Sequence, residues 1–533
     1  MMAQVQRAFV RLLIGKALTV VLGLTVLLLI WRRVSPEAYG QYLSLVATAE
    51  ILSLVSALGL STVAQRHLPV WLAHATGPGE AFARVAQVLL GRTVLAGVFL
   101  GGLAWAAGSS GPIWSALSGV LQSPLALALL ILTVLARSLE EVQAALLMQT
   151  WVQGLAVSAH TMRLAALTTQ TPVGTDAAAP FEWLVRLELA IACVVVTVGL
   201  VATALRAVST GRAEEALRRE PSSTWLQAWR TALEFWWIQC LGLLWSLHVL
   251  RLILHAWAGP LPVAVHAVAH SMVESLRQAT PLVWLTGWLR AAMLRLHAGQ
   301  PDSGMALDLA AAVHRVSLLM LWPVVAAWCA EPTHWYRWAG GAQMFSKAQE
   351  IGQVHPSFPL LGAVLMATAL LAPFQNRHLL ISLWSYVQQR PRGGVWASLA
   401  AASLALPGLG LMWPHLGLLS LPLVMLMAEL IWVCTASLGW TARVTGIQVR
   451  TARLAVPLVA LLAAAMGSFV LDALDEQEPL SRLGMPLTMA LLSVAVLARY
   501  PSVWTAQESQ AVHQCLPAGL QAAQRRWMRG PFA

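Results

Sequence analysis

The chain is 533 residues long, 58% hydrophobic and only 11% charged, with a mean hydropathy of +0.68. Soluble domains are about one quarter charged, so a soluble fold of this composition would leave too much apolar surface in water; a polytopic membrane protein is the class that fits. The net charge of +11 rests almost wholly on arginine, since Lys16 and Lys347 are the only lysines. Those arginines sit in short stretches between apolar runs, which the positive-inside rule explains better than nucleic-acid binding does.

Apolar windows of bilayer-crossing length, about 20 residues each, recur about fourteen times. The first six are 12–31, 41–63, 85–107, 122–140, 142–161 and 184–206. Arg7, Arg11 and Lys16 precede or open the first run, which ends at Trp31-Arg32-Arg33 without an A-x-A cleavage site, so it reads as an uncleaved transmembrane helix. Next comes the most heavily charged stretch of the chain, Arg206 to Ser223, a natural linker. Six more windows follow at 231–256, 262–289, 308–329, 358–375, 394–413 and 417–439, then a last pair at 454–473 and 484–500 and a polar tail. The expected architecture is therefore an all-α polytopic membrane protein: an N-terminal six-helix bundle (1–206), a cytoplasmic linker (207–230), a C-terminal six-helix bundle (231–440), an added helix pair (441–505) and a tail (506–533). With the N-terminus inside, about 25 basic residues fall in inside loops and about 8 outside, which places both termini in the cytoplasm. The 25 tryptophans often stand near window ends, as interfacial anchors do.

The five cysteines show no C-x-x-C or Cys/His cluster at metal spacing. Cofactors and metals are not expected: there is no phosphate-binding G-x-x-x-x-G-K-[ST] motif, no nucleophile elbow and no H-E-x-x-H. A metal on the His266/His270 pair would lack a third ligand.

Ionisable residues inside apolar runs are costly and face a cavity or a partner. His266, His270, Glu274 and Arg277 are spaced 4, 4 and 3, so one helix would carry all four on one stripe. That stripe either lines a polar cavity or forms an internally satisfied ladder, and its surplus of cationic groups favours the cavity. Arg32, Arg33 and Arg251 lie at a similar depth on the side where arginine is disfavoured. They would suit an anionic phosphate ligand or snorkel to headgroups. Glu50, Glu234, Glu274 and Asp308 are candidates for ion coupling. Setting Pro36 over Pro260 also aligns Leu28-Leu29-Ile30 with Leu252-Ile253-Leu254 and Glu50 with Glu274. That is a weak internal repeat of the kind on which transporters are built.

The stretch Arg33-Val34-Ser35-Pro36-Glu37-Ala38-Tyr39-Gly40, preceded by Gly15-Lys16 and followed by Ala57-Leu58-Gly59-Leu60-Ser61, resembles the first two helices of the polysaccharide-export flippases. These are O-antigen and exopolysaccharide translocases of the multidrug/oligosaccharidyl-lipid/polysaccharide (MOP) superfamily. Over Leu247–Pro281 the match is weaker: Leu250 stands where an acidic residue often precedes the arginine, and Ala264-Val265 replaces Gly-Tyr. The resemblance implies a non-enzymatic transporter of the bacterial inner membrane that flips a polyprenyl-pyrophosphate-linked oligosaccharide by alternating access. Its partners would be that lipid-linked oligosaccharide, membrane lipids, and polysaccharide polymerase and chain-length or export proteins, with no nucleic acid. A cation-coupled drug exporter of the same superfamily, a membrane-embedded glycan polymerase or glycosyltransferase, and a non-transporting scaffold are the alternatives.

Overall fold

The computed structural model describes residues 2–75, 77–107, 123–146, 148–169, 178–210, 225–286, 305–330, 360–388 and 392–438, with short helical pieces at 289–290, 293, 332, 335–336 and 338–339. The predicted windows 454–473 and 484–500, the tail and most of the predicted linker lie outside these residues. Among the described residues the structure is helical, without strands.

The helices are α1 (Met2–Arg33), α2 (Pro36–Val55), α3 (Leu60–Ala73), α4 (Pro78–Ala107), α5 (Pro124–Ala145), α6 (Gln149–Thr169), α7 (Ala178–Thr210), α8 (Trp225–Leu243), α9 (Leu247–Ala258), α10 (Pro260–Gln278), α11 (Pro281–Trp284), α12 (Met305–Ala330), α13 (Leu360–Gln388), α14 (Arg392–Leu416) and α15 (Ser420–Leu438), with a 3-10 turn at Gly417–Leu419. Among the described residues, six helical stretches are long and apolar enough to cross a membrane: Ile14–Arg33, Gly79–Gly102, Ala179–Ala207, Ala232–Ala258, Met305–Trp322 and Arg392–Ser437. The fourth spans α8 and α9, and the last spans α14 and α15.

The distribution of polarity is that of a lipid-embedded bundle. On α4, Leu90, Val94, Val98 and Trp105 are exposed, whereas Arg92 is 3% exposed. On α14 the small residues Gly394, Ala397, Ser398, Ala401, Ala402 and Ala405 form the buried face and let α15 approach closely; Trp396, Leu399 and Leu411 face outward.

Several predicted spans are broken, among them 262–289, which divides into α10 and α11 at Ala279–Thr280. The window 41–63 divides into α2 and α3 at Ser56–Gly59, where Leu58 (φ 41°) and Gly59 (φ 83°) adopt left-handed backbone. A Cβ on Gly59 would come within 2.8 Å of the Ala232 carbonyl carbon on α8, so the position needs glycine twice over. The window 231–256 divides into α8 and α9 at Ser246, whose Oγ accepts the Val249 N–H at 3.4 Å and caps the new helix. Hydropathy does not register these last two breaks, because the residues on both sides are apolar. Arg137 lies within α5. It stays there because Glu50 on α2 and Glu140 supply carboxylates, and the chain turns only at Leu146.

The chain forms two compact units. The first, Ile14–Ala267 with Ser346–Ala348, gathers α2 to α9. In it α5 packs on α2, α3, α4 and α7, while α9 packs on α2 and α8 on α3. The second unit runs from Val268 to Phe345 and from Gln349, with Met1–Leu13 assigned to it. Here α12 and α15 pack on α13, and α14 packs on α15. The division falls within α10.

The carbonyls at the end of α2 show how the first unit is secured. Arg92 Nη2 donates to Ser53 O (2.8 Å) and Ser53 Oγ (2.9 Å). Trp236 Nε1 on α8 donates to Leu54 O (3.2 Å) and Val55 O (3.1 Å). A helix end inside a bilayer must satisfy its last carbonyls from protein, and here α4 and α8 do so.

Candidate functional site

In the first unit, α2, α9 and the start of α10 converge because Gly40 lets them. A Cβ at Gly40 would fall onto the Pro260 carbonyl; no larger residue fits the crossing. Tyr39 and Ser44 on α2 therefore lie next to α9, and Ser44 Oγ is 2.6 Å from His255 Nδ1. One turn before His255, Arg251 is 6% exposed. Its charge acts on Tyr39 and on His266, which is 1% exposed. Arg251 Nε has no hydrogen-bond partner, and among the described residues no carboxylate pairs with this guanidinium. An arginine at membrane depth without an acidic partner carries its full desolvation cost. An anion at this position would offset that cost, and Tyr39 and His266 are polar residues within the field of the guanidinium.

The other predicted site residues have varied placements. Arg32 and Arg33 are exposed in the last turn of α1, where cations suit the helix dipole; Arg33 Nη1 donates to Leu167 O on α6. His270, Glu274 and Arg277 follow His266 on the continuous helix α10. Glu274 is engaged by Arg277 through two contacts of 2.8 Å, and Gln278 donates to it at 3.1 Å. Arg277 also lies in the field of Glu429 on α15. Part of the stripe is thus a locally satisfied pair, one-quarter exposed at Glu274. Glu50 is bound by Arg137. Glu234 lies half-buried on α8, and Asp308 is buried in the first turn of α12. Among the described residues no three metal-ligating side chains converge.

Sequence reading passed over three polar groupings. His255 and Ser44 are one. Arg163 on α6 holds Glu188 on α7 with two 2.7 Å bonds, and Tyr42 adds a hydrogen bond to that carboxylate. In the second unit His378 Nδ1 is 2.8 Å from Glu429 Oε2, and its ring stacks on Trp432 with centroids 3.5 Å apart. Trp432 Nε1 in turn donates to Ser398 Oγ at 3.0 Å. The local signal was an ionisable residue inside an apolar run; the partners are too distant in sequence to be read.

No protein-family model matches the sequence, and no curated protein does. Solved structures do match. The lipid II flippase MurJ, in an inward closed conformation, aligns with a TM-score of 0.55 at 10% identity, over 91% of this chain and 98% of its own. A MOP superfamily transporter from Pyrococcus furiosus aligns with a TM-score of 0.50 at 13% identity, over 83% of this chain and 96% of its own. A MATE structure in the straight conformation gives 0.49 at 12% identity, over 83% and 96%. The chain has the fold of the MOP-superfamily transporters.

Proposed function

We propose that this protein is a flippase that moves a polyprenyl-pyrophosphate-linked oligosaccharide across the bacterial cytoplasmic membrane by alternating access. The observation that carries this reading is Arg251, buried on α9 without a carboxylate partner among the described residues. A cation so placed repels cationic drugs and attracts a phosphate, which arginine binds through two parallel hydrogen bonds. The fold, shared with a lipid II flippase, supports the same class of cargo. The pyrophosphate would dock at Arg251. Tyr39, Ser44 and the neighbouring histidines would hydrogen-bond the first sugar, and the prenyl tail would stay in lipid. Glycan polymerase and chain-length proteins would take up the product on the outer face.

Deleting the gene should leave lipid-linked oligosaccharide on the inner leaflet, unpolymerised, and the wild-type chain should clear it. Arg251→Ala, at equal membrane level, should not. If no intermediate accumulates, the flippase reading is wrong. If Arg251→Ala rescues fully, the function survives and the site does not. A cation-coupled exporter would rest on the partly exposed Glu274 and the buried Glu429; it would instead change drug tolerance on deletion and leave the lipid-linked pool untouched.

A further inference from the structure

Ser44 has one hydroxyl proton and two neighbours within reach of it. The residue is 2% exposed. Its Oγ lies 3.1 Å from the Gly40 carbonyl oxygen, one turn back on α2, and 2.6 Å from His255 Nδ1 on α9. A carbonyl only accepts, so the first contact is a hydrogen bond only when the hydroxyl donates to Gly40. The second is then a hydrogen bond only when Nδ1 carries the ring proton and donates to Oγ. The reverse arrangement, with the hydroxyl turned to Nδ1, would leave two oxygens facing each other without a proton between them. A second cation one turn from Arg251 would add to a charge already uncompensated at membrane depth, so the ring is neutral. Nε2 therefore holds a lone pair and acts as an acceptor. The ring is half-buried, and among the described residues Nε2 has no hydrogen-bond partner.

His255 stands four residues after Arg251 on α9, so the two share one helix face with Cβ atoms about 5–6 Å apart. That face offers guanidinium donors on one turn and a bare acceptor on the next. An ionised phosphate satisfies the donors and has no proton for the acceptor. A hydroxyl on a group esterified to that phosphate supplies one.

We propose that His255 is a specificity-determining residue: its Nε2 accepts a hydroxyl of the sugar attached to a phosphate held at Arg251, so the site takes the glycosylated carrier in preference to the bare prenyl pyrophosphate. This role rests on the docking of pyrophosphate at Arg251 set out above, and adds to it a discrimination between loaded and empty carrier. Ser44 is the positioning residue, since its bond to Gly40 fixes which ring nitrogen keeps the proton.

The test uses the full chain in nanodiscs and two probes of equal charge: farnesyl pyrophosphate esterified at its terminal phosphate with glucose, or with a methyl group. The wild type should bind the glucosyl probe at least about tenfold more tightly, because the methyl ester leaves Nε2 unpaired. His255→Phe keeps a planar ring without nitrogen and should abolish the preference, whereas a merely structural loss would weaken both probes alike. His255→Gln, whose amide can donate to Ser44 and accept from the sugar, should retain it in part. Ring 15N spectra of the wild type, with the His255 signals assigned by difference from His255→Gln, should show the proton on Nδ1; in Ser44→Ala it should no longer be confined there. The probe ratio and the 15N spectra of the wild type keep the test decisive if His255→Phe misfolds. The role of His255 is overturned if the wild type binds both probes alike, if the preference survives in His255→Phe, or if Nε2 carries the proton. Equal binding that Arg251→Gln abolishes would leave the phosphate docking standing; no binding of either probe would remove the docking and this role together.

Discussion

Replacing Arg92 with methionine should be among the most damaging single changes in the first unit. The guanidinium is 3% exposed and serves three elements at once: Nη2 closes Ser53 O and Oγ at 2.8 and 2.9 Å, Nη1 reaches Ser61 Oγ at 3.3 Å, and Nη1 also pairs with Glu141. Neutral hydrogen bonds between membrane helices average only about 0.6 kcal/mol, so the bonds to the two serines alone would cost about 1–2 kcal/mol. The larger consequence is Glu141, left without its counter-charge; breaking a buried pair by removing one partner costs about 3–5 kcal/mol. Since the Glu141 side chain is 28% exposed, solvent recovers part of this, and the expected loss is about 3 kcal/mol. The assay is a double-mutant cycle by equilibrium unfolding in mixed micelles. Arg92→Met should lose about 3 kcal/mol, and Arg92→Met with Glu141→Gln should recover about half of it, because the orphaned charge is gone. A single variant within about 1 kcal/mol of wild type, or a double variant no more stable than Arg92→Met, would refute the reasoning.

Other positions give separate tests. Gly40→Ala should cost about 1–3 kcal/mol or more by overpacking against the Pro260 backbone, whereas Gly97→Ala, with open space around it, should be near neutral; equal Tm shifts would show that the α2–α10 crossing is looser than drawn. Trp432→Phe keeps the stack on His378 and loses only the bond to Ser398, so it should cost about 1 kcal/mol. Trp432→Ala should cost about 3–5 kcal/mol, and chemical unfolding that fails to separate the two would sink the packing role. Glu188→Gln strands Arg163 and should destabilise by about 3 kcal/mol. Pairing it with Arg163→Met should restore much of that, and a double variant worse than either single would count against the pairing.

Much of the helical order was legible because apolar runs and punctuating prolines are local signals. Pro36 and Pro260 each open a helix, of 20 and 19 residues, after Ser35 and Gly259. The Tyr39-Gly40 motif gains a physical reason: the glycine admits the Pro260 carbonyl. The Glu274–Arg277 pair was visible as a stripe because its members are three residues apart. Glu50 was legible as an acid inside an apolar run, but its partner Arg137 is 87 positions away, and only packing brings α2 to α5. The break at Leu58-Gly59 was hidden for another reason. Backbone handedness leaves no trace in hydropathy when the flanking residues are all apolar.

The two bonds from Trp236 to the end of α2 bear on how the protein can be taken apart. The charged stretch before α8 invites a cut, yet α8 and α9 lie with the helices that precede it. A fragment ending at Thr210 would leave the carbonyls of Leu54 and Val55 facing hydrocarbon, would strip Ser44 of His255, and would lose Arg251 altogether. Such a fragment would be no free-standing half. The part of the chain made after the linker completes the part made before it, so the first bundle cannot reach its final form until translation has passed His255.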